Sequence, residues 1–218
     1  MPRPIHATIK ASALRHNLKL ARASAGEAKI WAVVKANAYG HGLERAARAL
    51  ADADGFALLD FQEAVRLRLA GATKPILMLE GFFRPLDVQL LFKYALTPVI
   101  HNAEQVELIK HMDLPAELDL YLKVNSGMNR LGFGVEDLRP VYNALRMHPR
   151  VRAITLMTHF ADADGPSGVH DQLRWFDELV QLFEAPRSLA NSAALLRFKE
   201  ARTGWVRPGL MLYGCSPF

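Results

Sequence analysis

Short apolar runs alternate with amphipathic stretches along almost the whole chain. The runs Ile30–Val34, Gly55–Leu59, Pro75–Leu79, Thr97–Ile100, Leu118–Val124, Arg152–Met157, Arg187–Ala190 and Gly204–Arg207 read as eight strands. Between them Ser12–Ser24, Leu43–Asp52, Phe61–Ala70, Pro85–Tyr94, Asn102–His111, Val135–Met147 and Gly168–Phe183 read as helices, and a short one opens at Ser192. The clearest helix carries Val169, Leu173, Phe176, Val180 and Phe183, an apolar stripe spaced by 4, 3, 4 and 3 residues. Asn102 is placed to cap its helix, with Gln105 three residues on.

Strands that alternate with helices pair in parallel through crossover connections. An open doubly wound sheet and a closed (β/α)8 barrel both satisfy that rule. One helix precedes the first strand, so eight helices can ring eight strands within 218 residues, above the roughly 200 that a closed barrel needs. The count favours the α/β class with a TIM-type (β/α)8 barrel. A dinucleotide fold finds no support: Gly132-Phe133-Gly134 lacks a third glycine and follows the wrong kind of segment. Residues 1–218 read as one domain without repeats or linkers. Ile5–Ile9 reads as a short strand with no partner in the barrel, and the chain ends at Pro217-Phe218 just past the eighth strand. Both fit a barrel whose C-terminal partner domain has been removed.

Half of the residues are hydrophobic and 22% are charged, the balance of a soluble globular domain. Cys215 is the single cysteine, which excludes a disulfide scaffold and fits a reducing compartment. No apolar run reaches the ~18 residues of a membrane span, and Met1–His6 lacks the apolar centre of a signal peptide. A cytoplasmic protein is expected. The net charge of +5 does not point to nucleic acid, because Lys and Arg alternate with Asp and Glu along the helices and no basic block occurs. A modest positive excess also suits a protein that holds a small phosphorylated ligand. No metal ligand set is expected.

Barrel active sites are built where strands end at the C-terminal face. The first strand ends at Lys35, on the face shared by Trp31 and Val33. A lysine there is either snorkelling to solvent or partly desolvated, with the depressed pKa that suits Schiff-base chemistry. In the fifth strand Asp119, Tyr121 and Lys123 alternate with leucines and point into the barrel, with Arg130 close behind. Two interior cations need an anion between them. Either Lys123 pairs with Asp119, or the lysine is itself modified into an anion. His159 closes the sixth strand, as a hydrogen-bonded core residue or as a ligand contact. Asn191-Ser192 follows the seventh strand, where a helix start with a hydroxyl could hold phosphate, and Arg207-Pro208-Gly209 follows the eighth, where glycine lets backbone N–H groups approach an anion. Together these ends describe a phosphate-bearing, electrophilic cofactor beside a lysine.

Ala32-Val33-Val34-Lys35-Ala36-Asn37-Ala38-Tyr39-Gly40-His41-Gly42 resembles the pyridoxal-phosphate signature of alanine racemases. The segments Lys123–Gly132, Thr158-His159-Phe160, Ala190–Ala193 and Arg207–Gly209 match that family in order and spacing. The resemblance implies an N-terminal barrel followed by a β-rich domain, with Ile5–Ile9 pairing with strands of the latter. It implies a racemase acting on alanine, supplying D-alanine for peptidoglycan in the cytoplasm, as a homodimer. Lys35 would carry pyridoxal 5'-phosphate and move the α-proton. Tyr39, Asn191, Ser192 and the backbone at Gly209 and Leu210 would hold the cofactor, chiefly its phosphate. His159 would contact the ring and hydrogen-bond toward Arg207, which would face the pyridine nitrogen. Arg130 would meet the phenolic oxygen and the substrate carboxylate, oriented by a carbamate on Lys123. A guanidinium on the ring nitrogen weakens the electron sink and favours racemisation over transamination, so replacing Arg207 by Glu is expected to increase transamination. Asn125 and Ser126 depart from the Asp-Thr common in the family. The family's second base is a tyrosine of the C-terminal domain, outside these residues. Two other readings are a barrel that binds the cofactor without robust catalysis and a barrel-type decarboxylase. The latter pairs the ring nitrogen with a carboxylate, where this chain has Arg207.

Overall fold

The structure, a computed structural model, describes residues 4–218. Eight strands run β1 (Lys29–Val33), β2 (Gly55–Leu58), β3 (Ile76–Met78), β4 (Leu96–Ile100), β5 (Leu118–Lys123), β6 (Val151–Met157), β7 (Arg187–Ser188) and β8 (Trp205–Val206). Their order in the sheet is β7-β6-β5-β4-β3-β2-β1-β8, and neighbouring pairs are parallel. The two outer strands then meet. The Arg207 N–H donates to the Ala190 carbonyl at 2.8 Å, and Ser188 Oγ donates to the Trp205 carbonyl at 2.8 Å. Gly204 makes this closure possible: its φ is +52°, and a Cβ there would stand 2.4 Å from the Arg187 carbonyl oxygen. The expected (β/α)8 barrel is the fold, and each strand lies within two residues of its sequence boundaries.

The ring outside is α1 (Ala11–Ala25), α2 (Leu43–Ala49), α3 (Phe61–Leu69), α4 (Pro85–Lys93), α5 (Ala103–His111), α6 (Val135–Met147), α7 (His170–Val180) and α8 (Ser192–Arg197). The α7 stripe turns Val169, Phe176 and Val180 into the core between helices and sheet. Asn102 caps α5 by accepting the Gln105 N–H at 2.9 Å. Gln105 does not reach back to its cap. Its side chain turns inward to backbone groups at the ends of β3 and β4.

Ile5–Ile9 lies in no strand, since residues 4–10 carry no regular element. The segment read as a loop after β1 holds a further surprise. Ala36, Asn37, Ala38 and Tyr39 have φ of 53°, 51°, 55° and 53°, one left-handed turn of four residues without a glycine. Left-handed backbone costs about 1–2 kcal/mol per such residue, so outside contacts must hold it. The Ala38 N–H donates to the Val34 carbonyl, the Asn37 side chain accepts the Leu43 N–H at 3.0 Å, and Glu63 accepts the Asn37 N–H.

A second, smaller core fills the barrel itself: Trp31, Val33, Ala57, Leu77, Val99, Tyr121 and Met157. Trp31 stacks on Trp205 with centroids 4.1 Å apart and donates from Nε1 to the Tyr121 hydroxyl at 3.0 Å. This layer is a floor. Two residues further along the strands, on the same face, stand Lys35, Leu59, Leu79, His101, Lys123, His159 and Arg207.

Candidate active site

That upper layer lines a cavity of about 560 Å³ at the C-terminal mouth of the barrel, a volume usual for a small-molecule site. Lys35, Tyr39, Lys123, Arg130, His159, Asn191, Ser192, Arg207, Gly209 and Leu210 all line it. The strand-end rule and the period-two alternation therefore gather every candidate into one place.

Arg207 is fully enclosed at its base. One terminal nitrogen donates to the Ser188 carbonyl and to Ser188 Oγ, both at 2.7 Å, and the other donates to the carbonyls of Thr158 and Leu189. Four of its five N–H groups are thereby used, leaving Nε–H as the donor without a protein partner among the described residues. His159 was expected to hydrogen-bond toward Arg207. It does not: backbone carbonyls and Ser188 take those donors instead.

At the opposite rim, Ser192 Oγ accepts the Gly209 N–H at 2.9 Å and the Met211 N–H at 3.3 Å. With both lone pairs used, the Ser192 O–H is left to donate into the cavity. Asn191 caps α8 through the Ala194 N–H, so its Oδ1 is committed and its amide N–H groups are not. Tyr39 stands beside Tyr213, ring centroids 4.7 Å apart, and Tyr213 donates its hydroxyl to the Val33 carbonyl at 2.9 Å. Burial pushes both phenols up. Gly209 is not needed for an unusual turn, because its φ is −123°. It is needed for room, since the Tyr39 hydroxyl occupies the space a side chain would take.

Lys123 is 7% exposed. Burial first, then Arg207 and Arg130, lowers it to about 8. Of the two readings of Lys123, the pair with Asp119 does not form: Asp119 lies at the other end of β5, where Arg152 grips it with contacts of 2.6 and 2.8 Å. Alternation placed Asp119 on the inner face but could not say how deep. His159 is held down to about 3 by burial and then by Arg207, Lys123, Arg130 and Lys35, so its imidazole is neutral at pH 7. Arg130 is exposed at the mouth, on a loop that Asn125 shapes by accepting the N–H groups of Gly127 and Asn129 at 3.2 and 3.0 Å. Asn125 thus serves the turn. Glu80, His101 and Tyr213 are positions the sequence reasoning missed. The first two follow β3 and β4 directly, so the strand-end rule reached them; neither stood in a motif.

The model of the alanine racemase N-terminal domain matches residues 9–217. The chain belongs to this family. It is 51% identical over 217 residues to the alanine racemase of Erwinia tasmaniensis and 50% to that of Burkholderia mallei, covering all of this chain and 61% of each relative. The crystal structure of the biosynthetic alanine racemase from Pseudomonas aeruginosa superposes with a TM-score of 0.91 at 44% identity, over 95% of this chain and 59% of that one. The alanine racemase barrel described here thus spans about three fifths of the length of these relatives.

Proposed function

We propose that this chain is the cofactor-bearing barrel of an alanine racemase, which interconverts L- and D-alanine with pyridoxal 5'-phosphate on Lys35. One observation carries the reading: a lysine amine, an unused guanidinium N–H and a free serine hydroxyl face one cavity. The residues present fit that cofactor. Apart from Lys123, three cations, Lys35, Arg130 and Arg207, share the cavity with two acids, Glu80 and Asp164, an excess suited to a phosphorylated anion. Ser192 and Tyr39 hydroxyls, the Asn191 amide and the backbone at Gly209 and Leu210 would hold the phosphate end. When bound, the cofactor supplies an electrophilic carbonyl carbon and a ring that spreads negative charge.

Lys35 moves the proton at the alanine Cα on one face. Arg207 would offer its Nε–H to the ring nitrogen, and because a guanidinium cannot accept a proton, it would favour a ring left unprotonated. Such a ring would supply a weaker electron sink, which favours return of the proton to the alanine Cα by Lys35. Neutral His159 would pack against the ring. Arg130 holds the substrate carboxylate, and a carbamate on Lys123 orients it. The full-length form is a cytoplasmic homodimer whose second domain pairs with Ile5–Ile9.

A second reading, cofactor binding without complete racemisation, is favoured by the tyrosine content of the cavity. Among the described residues its one tyrosine is Tyr39, at the phosphate end. Exchange of the α-proton in deuterated water, followed by NMR from each alanine enantiomer, separates the two. Deuterium entering both enantiomers with inversion supports the racemase. Cofactor bound on Lys35 without exchange supports the second reading, and no cofactor bound overturns both.

A further inference from the structure

His101 has no task in the chemistry above, yet its ring is buried in the cavity wall. It is 8% exposed and sits one residue past the Ile100–Leu122 pair of β4 and β5, so it stands beside Lys123 with both side chains on the inner face. Gln105 fixes its state. Both amide protons of Gln105 are committed, to the carbonyls of Glu80 at 2.8 Å and Phe82 at 2.9 Å, while its oxygen accepts the His101 backbone N–H at 2.8 Å. The approach of Gln105 Nε2 to His101 Nε2 at 3.3 Å is therefore a contact only. His101 Nε2 carries its own proton and donates it to the Glu80 carbonyl at 3.0 Å. Nδ1 is left as a bare lone pair, buried and without a partner. A buried acceptor without a donor calls for a completing group.

On the side of β4 away from Glu80 lies Lys123, a buried donor that forms no ion pair or side-chain hydrogen bond among the described residues. Two unfulfilled groups thus stand on neighbouring strands at the same level of the barrel, with no hydrogen bond yet joining them. We propose that His101 Nδ1 receives the proton that Lys123 sheds on adding carbon dioxide, and that the resulting imidazolium then holds the carbamate. The inference rests on the reading of Lys123 as carbamylated and gives that site its base.

The step balances. The Lys123 amine lone pair forms the N–C bond to carbon dioxide, and one C=O pair moves onto oxygen. The proton of the adduct nitrogen passes to Nδ1. The ammonium first gives one proton to solvent; from the neutral amine, two neutral side chains then become a carbamate and an imidazolium, with no net change of charge in that step. The groups facing His101 are Glu80 from the end of β3 and Lys123 from β5, with Lys35, Arg130, His159 and Arg207 around the cavity. Burial first, and then Lys123 as an ammonium, hold His101 below its ordinary range, while its contact with the Glu80 carbonyl works the other way; a carbamate on Lys123 would favour its protonation.

The test is carbon-13 NMR of the cofactor-loaded protein under labelled carbon dioxide, with H101Q beside the native protein. Glutamine keeps a donor for the Glu80 carbonyl and has no basic nitrogen. The expected result is a native carbamate signal and, in H101Q, a half-saturating carbon dioxide concentration raised at least tenfold with slower formation. Equal saturation and rate in both proteins overturn the role of His101 and leave the carbamate. No carbamate in the native protein overturns the reading of Lys123, and this inference with it. Nitrogen-15 NMR of the native protein gives a second arm should H101Q fail to fold. His101 Nδ1 is expected to be protonated under carbon dioxide and bare once it is stripped; an Nδ1 indifferent to carbon dioxide overturns the proposal.

Discussion

The hydroxyl of Tyr39 lies where a side chain on Gly209 would begin, 2.5 Å from the position of a Cβ. Overpacking of this kind costs about 1–3 kcal/mol when the neighbour must shift. Gly209→Ala is therefore expected to move Tyr39 and weaken cofactor binding roughly tenfold, the low end of that range. Fluorescence titration with pyridoxal phosphate checks this. Unaltered affinity would mean that Tyr39 takes no part in holding the phosphate.

Arg207→Glu is expected to raise transamination, but the surroundings of Arg207 add a second effect. The guanidinium satisfies carbonyls of Thr158, Ser188 and Leu189, and a carboxylate would face those same oxygens. Breaking a buried charged cluster costs about 3–5 kcal/mol. The variant is expected to unfold at markedly lower urea, so pyridoxamine phosphate formation has to be counted per folded molecule. A variant as stable as the native protein would contradict the enclosure of Arg207.

Lys123 falls from 10.5 to about 8 on folding. The folded protein then binds fewer protons than the unfolded chain between about pH 8 and 10.5, and stability climbs with pH across that window. Below pH 8 the buried ammonium costs on the order of 3 kcal/mol. In carbon-dioxide-free buffer Lys123→Met is expected to be more stable than the native protein at pH 7 and to lose the alkaline climb. Urea denaturation at pH 7, 9 and 10.5 decides it. Destabilisation at pH 7 would show that the ammonium has an anionic partner.

His159 falls from 6.5 to about 3, so stability climbs between those values as the unfolded chain's imidazole releases its proton. Carboxylates contribute in the same range, which makes the difference between variants the useful quantity. His159→Gln is expected to flatten the native curve by several kcal/mol between pH 3 and 6.5, roughly 1.4 kcal/mol per pH unit. Parallel curves would place His159 in water.

Ala36→Gly and Ala36→Val bracket the left-handed turn. Glycine takes φ near +53° freely, whereas a β-branched residue there is a severe outlier. Ala36→Val is expected to lose about 1–2 kcal/mol and with it the cofactor, while Ala36→Gly stays within about 1 kcal/mol of native. Thermal unfolding with and without pyridoxal phosphate checks both. Equal behaviour would mean the turn is not left-handed.

Strand positions and the inner face were legible because period two is a local property: Val33 predicts Lys35 and Tyr121 predicts Lys123. Depth was not. Asp119 and Lys123 lie on one face of one strand, yet one meets Arg152 at the open bottom and the other is buried at the mouth. Nor was the turn legible, since Ala36-Asn37-Ala38-Tyr39 contains no glycine and its handedness comes from Val34, Leu43 and Glu63. The partners of Arg207 escaped for the same reason, being backbone carbonyls that no residue type announces.

The left-handed turn also sets an order of assembly. An unfolded chain visits such a conformation only as single residues, never four in succession. The contacts that hold it come from the end of β1, the start of α2 and the first turn of α3, so it cannot form before those three segments have met. Until then Lys35 is one lysine among several on a mobile chain. Its amine acquires a fixed direction only as the first two strand–helix units lock together, and capture of an aldehyde there reports that docking.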